Sequence, residues 1–401
     1  MAAKEAGPLT AMTSRTRLIV LLVSAPIIAF AVIGGFLGNA MAREETYRPL
    51  AVFQDVVRLV TSNYVEPVNS DRIMTGAMRG LAESLDPDSA YLNPQQVEAL
   101  QRGEHLPSGD VGITLTRQYY LRVIAARDGS PAAKAGLRPN DFVRMIDDKP
   151  TREMSVLEGV RLLRGAPGSK VKLTIIRTNP ADPRVIELTR EPIVEPAVSA
   201  RMQASGVGYL RLPAFTAKTA EQVREKVASL QKEGAHRLLV DVRDCADGDL
   251  TDGLAVARLF VPSGTLAIRE TRNQPRESIA ASAGDGAISV PVVVLVNAGT
   301  AGPAELFAAA LAGNKRADLV GERTVGRVTT QKLVPLLDGS AMLLSNAWFL
   351  TPAGEQIEEK GLTPGVEVEE PDVDVGAPPP ATDPILLKAI ERLEGKTSDT
   401  K

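Results

Sequence analysis

An unbroken apolar run, Val292–Val296, leads directly into Asn297-Ala298-Gly299-Thr300-Ala301-Gly302-Pro303-Ala304-Glu305. A short run with no polar face reads as a buried strand, and the segment after it as a helix start. Junctions of this kind hold a residue rigidly at the end of a sheet. The alternation recurs along the chain: strands at 207–212, 238–242 and 319–321 are interleaved with helices at 217–233, 250–260 and 304–313. That order predicts an α/β core over residues 180–370.

Two other patterns precede it. Within 47–100, Leu50, Phe53, Val56, Val57, Val60 and Tyr64 recur at helical spacing. Pro67 and Asn69 interrupt them, Ile73, Ala77, Met78, Leu81 and Leu85 resume, and Asp86-Pro87-Asp88-Ser89 stops the second helix. Residues 109–178 read as a compact module. Val111, Ile113 and Leu115 alternate, a short helix at 131–137 closes on Gly136, and a helix at 155–164 precedes an alternating strand at 171–176. After the core, 371–381 with Pro378-Pro379-Pro380 reads as a flexible link to a helix at 383–394, and 395–401 as a frayed end.

A chain of 401 residues supports one large core or two to three smaller ones. Lysine plus arginine number 46 against 49 acidic residues, and no basic patch is interleaved with aromatics, so nothing points to nucleic acid. One cysteine excludes an intrachain disulfide. His105 and His236 are far apart without ligand spacing, so neither a metal nor a cofactor is expected. At the start of the chain, Arg15 and Arg17 precede an uncharged stretch over 18–37, long enough for a membrane anchor. Ala40-Met41-Ala42 also suits signal peptidase. Both readings place 43–401 outside the cytoplasm: anchored in a bacterial inner membrane and facing the periplasm or cell envelope, or secreted if cleaved after Ala42.

Several stretches resemble the carboxyl-terminal processing proteases, serine peptidases with a serine–lysine dyad and an inserted PDZ module. They are Asn63-Tyr64-Val65, Leu85-Asp86-Pro87-Asp88-Ser89-Ala90-Tyr91-Leu92, Ser130-Pro131-Ala132-Ala133-Lys134-Ala135-Gly136-Leu137, Arg164-Gly165-Ala166-Pro167-Gly168, Gly321-Glu322-Arg323-Thr324-Val325-Gly326 and Thr351-Pro352-Ala353-Gly354. The resemblance covers about 45–394 and implies a multidomain α/β fold. It divides into an N-terminal tail and anchor or signal peptide (1–42), a helical region (43–100), a PDZ domain (108–178), a protease-like α/β core (180–370), and a linker with terminal helix (371–401).

The family pattern after the buried strand is Asn-x-Gly-Ser/Thr-Ala-Ser-Ala-Ser-Glu, which lays the nucleophile on Gly302. Its base, the lysine of Gly-Lys-Gly-x-Val-Gln, falls on Arg327, while the glutamine is kept as Gln331. A glycine of the oxyanion-hole turn falls on Asp247. Glycine has no attacking atom. Arginine stays protonated up to a pKa above ~12, and a carboxylate near a developing oxyanion opposes it. Arg327 is expected to pair with Asp247 or Glu305. Asp244, Asp247 and Asp249 read as a solvated turn, not a metal cluster. Cys245 and Thr300 are the remaining candidate nucleophiles; for Cys245 a small buried core residue is the plainer reading.

The resemblance also implies a peptide site. A PDZ domain adds an extended chain to a sheet edge and holds its terminal carboxylate on backbone amides. Those amides fall near Gly109, Val111, Gly112 and Ile113, with Asp110 an obstacle if it points inward; Leu157, Val160 and Leu163 fall on the helix lining the side-chain pocket. The expectation is a non-catalytic protein that binds carboxyl-terminal tails, partners an active homologous protease or self-associates. The alternatives are a peptidase acting through displaced groups and a purely structural assembly protein.

Overall fold

A computed structural model of the protein describes residues 49–102, 106–177, 182–203, 206–377 and 380–395. The chain forms two compact units, 1–77 and 78–401. In the first, a helix covers 49–63 and leaves Leu50, Val56, Val60 and Tyr64 exposed. The next helix, Ser70–Glu83, starts at Asn69, whose side chain accepts from the Asp71 and Arg72 N–H groups at 2.8 and 3.1 Å. Such a cap satisfies two donors that the first helical turn cannot.

The membrane expectations are corrected here. Among the described residues no helix is long and apolar enough to cross a membrane. Ser70–Glu83 and Thr219–Lys232 have 14 residues each, about 21 Å at the helical rise, against ~30 Å of hydrocarbon. The 18–37 run lies outside the described residues. A transmembrane anchor, a membrane partner and an inner-membrane or exported location for 43–401 are therefore not carried further.

The second unit is built on the sheet implied by the 292–296 run. Six strands lie in the order Ser199–Met202, Val207–Arg211, Arg237–Asp241, Val292–Val296, Ala317–Gly321 and Val366–Glu367. The first pair is antiparallel and the others parallel. Every residue of Val292–Val296 is buried, and the pleat divides them. Val292, Val294 and Val296 share a core with Phe215, Phe260 and Phe307. Val293 and Leu295 pack with Ile385, Ala389 and Leu393 of the terminal helix Pro384–Gly395. With both faces covered, no position of the strand tolerates a polar side chain. Leu250–Arg258 and Pro303–Gly313 lie on the first face, as their shares of that core require.

Before this core comes a small antiparallel module. Its strands run Ile113–Gln118, Tyr120–Ala126, Phe142–Ile146, Lys170–Ile176 and Arg184–Thr189 in that spatial order, so Ile113–Gln118 is an edge. The helix Val156–Leu163 packs against it, over a core that includes Leu115, Leu121 and Leu173.

A further antiparallel sheet had no counterpart in the sequence reading. Ala341–Leu350 pairs with Ala90–Leu92, Thr265–Thr271 and Thr329–Pro335, and Glu277–Ala280 extends it. Thr329–Pro335 has no buried residue; its ladder fixes it, with Leu333 half-buried against Leu92, Val97 and Ala341. The 371–381 stretch, expected as a flexible link, is held where it is described: Arg138 Nη1 donates to Pro371 O at 3.1 Å, and Arg177 Nη1 to Val373 O at 2.7 Å.

Candidate functional site

Gly302 stands between the central strand and the helix Pro303–Gly313, with φ 59° and ψ −118°. L-residues rarely adopt that conformation, and a sharp strand-to-helix turn of this sort is how hydrolase folds present a nucleophile. Crowding is not the reason for glycine here. A Cβ would meet only Arg327 O, at 3.5 Å. The turn is held by Glu305, which is fully buried. Its Oε2 accepts from Gly302 N–H at 3.1 Å and Arg327 N–H at 2.8 Å; its Oε1 accepts from Gly326 N–H at 2.6 Å and from the Thr324 hydroxyl. Burial raises the Glu305 pKa and these donors oppose the rise. One carboxylate thus fixes the two backbone positions that the resemblance assigns to nucleophile and base.

The Arg327 guanidinium goes to neither Asp247 nor Glu305. Its Nε donates to Asp88 Oδ2 at 2.8 Å, its Nη2 lies 2.5 Å from Asp88 Oδ1, and its Nη1 donates to Leu115 O at 3.2 Å. The Asp88 side chain is only 4% exposed, so the two-pronged pair is a charge-assisted contact sheltered from water. Asp88 is presented by a tight turn in which Asp86 Oδ1 accepts from the Asp88 and Ser89 N–H groups at 2.8 and 2.6 Å. Gln331 Nε2 donates to Asp88 O at 2.9 Å. Glu358 lies nearby, donated to by Val328 N–H at 2.7 Å. Burial, with Asp88 and Glu305 adding to it, pushes its carboxyl up to about 7 against Val328 N–H and Arg327.

Asp247 turns towards the small module. Its Oδ1 accepts from the Thr114 hydroxyl at 2.8 Å and its Oδ2 from Arg127 Nε at 3.1 Å. Arg127 also lies 3.2 Å from Asp110. Behind these contacts, Ile124 and Ala125 of the module pack with Ala301, Ala246 and Val325 of the core. The module therefore rests on the turn beside Gly302.

The two candidate substitute nucleophiles are both fully buried. The Thr300 hydroxyl donates to Val242 O at 2.9 Å and accepts from Asn297 N–H at 3.0 Å, which makes it part of the turn's scaffold. Burial pushes the Cys245 thiol well above its ordinary range, away from the thiolate that attacks. Asp244, one of the aspartates of this loop, accepts from Asn297 Nδ2 at 3.1 Å.

Two cavities flank this place. A cleft of about 480 Å³ is lined by Gly248, Gly302, Arg327, Gln331, Asp88 and Phe349 among others. A groove of about 490 Å³ runs beside the edge strand and is lined by Arg117, Gln118, Leu157, Val160, Arg327 and Leu343 among others. Asp88, Arg327 and Gln331 border both. Of the residues expected to bind peptide, Leu157 and Val160 face this groove. Val111, Ile113 and Leu163 are buried in the module's core. Gly109 makes a close backbone approach, exchanging hydrogen bonds of 2.9 and 3.1 Å with Gly165, and Gly112 has φ 77°. The sequence offers Glu305 as a partner for the Arg327 side chain, not as the acceptor that holds the turn, and gives Asp88 no role beyond the helix-stop signal at Asp86-Pro87-Asp88-Ser89.

Comparison with known proteins follows the same division. The pattern of peptidase family S41 matches residues 206–368, and a PDZ domain pattern matches 122–177. The carboxy-terminal-processing protease of Bartonella bacilliformis is 31% identical over 336 residues, 82% of this chain and 77% of that one. The carboxyl-terminal-processing protease of Synechocystis sp. is 34% identical over 310 residues, 76% of this chain and 72% of that one. The chain belongs to the carboxyl-terminal processing protease family. Among solved structures, a photosystem II D1 C-terminal processing protease superposes with a TM-score of 0.67 at 28% identity, covering 80% of this chain and 92% of that one. As in that family, an α/β protease-like region and a PDZ-like region are distinct parts of one multidomain chain, preceded by helices. The PDZ match begins at 122, beyond the edge strand Ile113–Gln118 and the loop before it.

Proposed function

We propose that this member of the processing-protease family binds extended polypeptide in the groove and cleft without cleaving it by serine–lysine chemistry. The observation that carries the reading is the pair of cavities that share Asp88, Arg327 and Gln331 in their linings. The space for a chain is kept, while glycine stands at the attacking position and the guanidinium opposite is already committed to Asp88. A guanidinium in a two-pronged ion pair accepts no proton from a nucleophile. The apolar side chains at Leu157 and Val160, beside a sheet edge that no other strand of the described residues pairs with, suit a strand added with alternate residues inward. Tails of other proteins, or subunits of an active homologous protease, are the ligands that this chemistry admits, and self-association is compatible with it.

A second reading, a processing peptidase acting through displaced groups, draws support from the 31–34% identity to proteins named as proteases and from the retained Gln331. The burial of Cys245 and Thr300 weighs against it. Fluorescence anisotropy with a labelled valine- and alanine-rich peptide tests the receptor reading. Saturable binding that is removed by Val160→Asp, with the peptide recovered intact, is expected. Binding unaffected by Val160→Asp would contradict the groove assignment.

A further inference from the structure

The edge strand Ile113–Gln118 begins just after a loop whose backbone N–H groups are the natural seat for a peptide's terminal carboxylate. Two of these groups already have acceptors, Gly109 N–H in Gly165 O and Val111 N–H in a side chain. Val111 N–H donates to Asp110 Oδ1 at 2.8 Å. Asp110 is buried, 6% exposed, and its carboxylate lies 3.2 Å from Arg127 Nη2 and 3.8 Å from Arg164 Nε. A carboxylate set on a backbone amide beside two guanidinium groups has the contacts that a bound chain terminus would make. Arg127 is shared further, at 3.1 Å from Asp247. Its single positive charge faces two aspartates before any ligand arrives.

We propose that Asp110 is a built-in stand-in for the ligand's terminal carboxylate, so that the groove takes extended segments from within a polypeptide and gains nothing from a free carboxyl end. The proposal rests on the receptor reading above and names its ligand class. An incoming carboxylate brings a second negative charge to a buried site whose nearest cations are already spent, and like charges in such a place repel strongly. A chain that continues past the loop brings no charge there. The apolar contacts at Leu157 and Val160 are the same for both.

The test uses one labelled valine- and alanine-rich peptide in two forms, ending in a free acid or in a carboxamide, titrated against the whole protein and its Asp110→Asn variant. For the unaltered protein the carboxamide should bind at least as tightly as the acid. Asp110→Asn keeps an acceptor for Val111 N–H, and Arg127 keeps Asp247, so the fold should hold; a melting curve verifies it. In this variant the acid should gain about tenfold or more, a change of ~1.4 kcal/mol, while the carboxamide shifts little. The ratio in the unaltered protein needs no variant: a preference for the acid of about tenfold there overturns the proposal while leaving the receptor reading intact. Absence of binding of either form to either protein overturns both.

Discussion

The cleft at Gly302 and the groove beside Val160 enclose nearly the same space, about 480 and 490 Å³, but they are built from different material. In the cleft the polar lining groups already have partners: Arg327 is bound to Asp88 and Leu115, and Gln331 to Asp88 O, while behind the lining Glu305 takes four donors and Asp247 is bound to Thr114 and Arg127. The groove is walled in part by the apolar side chains of Leu157 and Val160 along an open sheet edge. The difference teaches that a cleft's shape and its chemistry are separately held. Glu305 holds the backbone N–H groups of 302, 326 and 327, a hold that does not run through the side chains at the two positions the resemblance assigns to nucleophile and base.

The strongest challenge to that comparison is Arg327→Ala. It strands the buried Asp88 carboxylate, and breaking such a pair costs about 3–5 kcal/mol, read as a fall in the urea midpoint. A loss under about 1 kcal/mol would mean that Arg327 is an ordinary surface cation. Gly302→Ser comes next. Space exists for the side chain, but the positive φ should cost about 1–3 kcal/mol, and no hydrolysis should appear, since Arg327 offers no base.

The pH dependence sharpens the electrostatic side. Glu358, raised to about 7 by burial first and by Asp88 and Glu305 next, holds its proton more tightly folded than unfolded. Its contribution is complete below an ordinary glutamate pKa of about 4.3 and fades as pH rises through about 7. Glu370, raised to about 7 mainly by burial and by Asp244, acts in the same direction. Glu358→Gln should therefore flatten part of the decline in stability between mildly acid and neutral pH, by about 1–3 kcal/mol; an unchanged slope would show that the carboxyl is well solvated. The smallest effect belongs to the groove. Val160→Ser should weaken peptide binding by about 1 kcal/mol, roughly fivefold, while leaving the pH slope of the cleft as it was.

How much of this was legible in the sequence depended on the range of the interactions. Val292–Val296 declared its burial because both faces of one strand are covered, a local signal. Thr329–Pro335 gave none, because it is held mainly by pairing with Ala341–Leu350 and has no buried residue of its own. The identities at 302, 327 and 247 were readable, but their partners were not. The sequence matches Arg327 to Asp247 or Glu305, yet its carboxylate is Asp88, 239 residues away in the chain. Asp247 in turn is held by Thr114 and Arg127, 133 and 120 residues away. Asp110 was noticed as an obstacle; that it satisfies the amide next to it became visible only with the backbone in place.

The most direct measurement is mass spectrometry of the purified protein after long incubation with the labelled peptide and with an unfolded protein substrate. The account predicts intact substrates and an unmodified chain mass. Cleavage products that vanish with Cys245→Ala or Thr300→Val, or an acyl adduct on either residue, would contradict it.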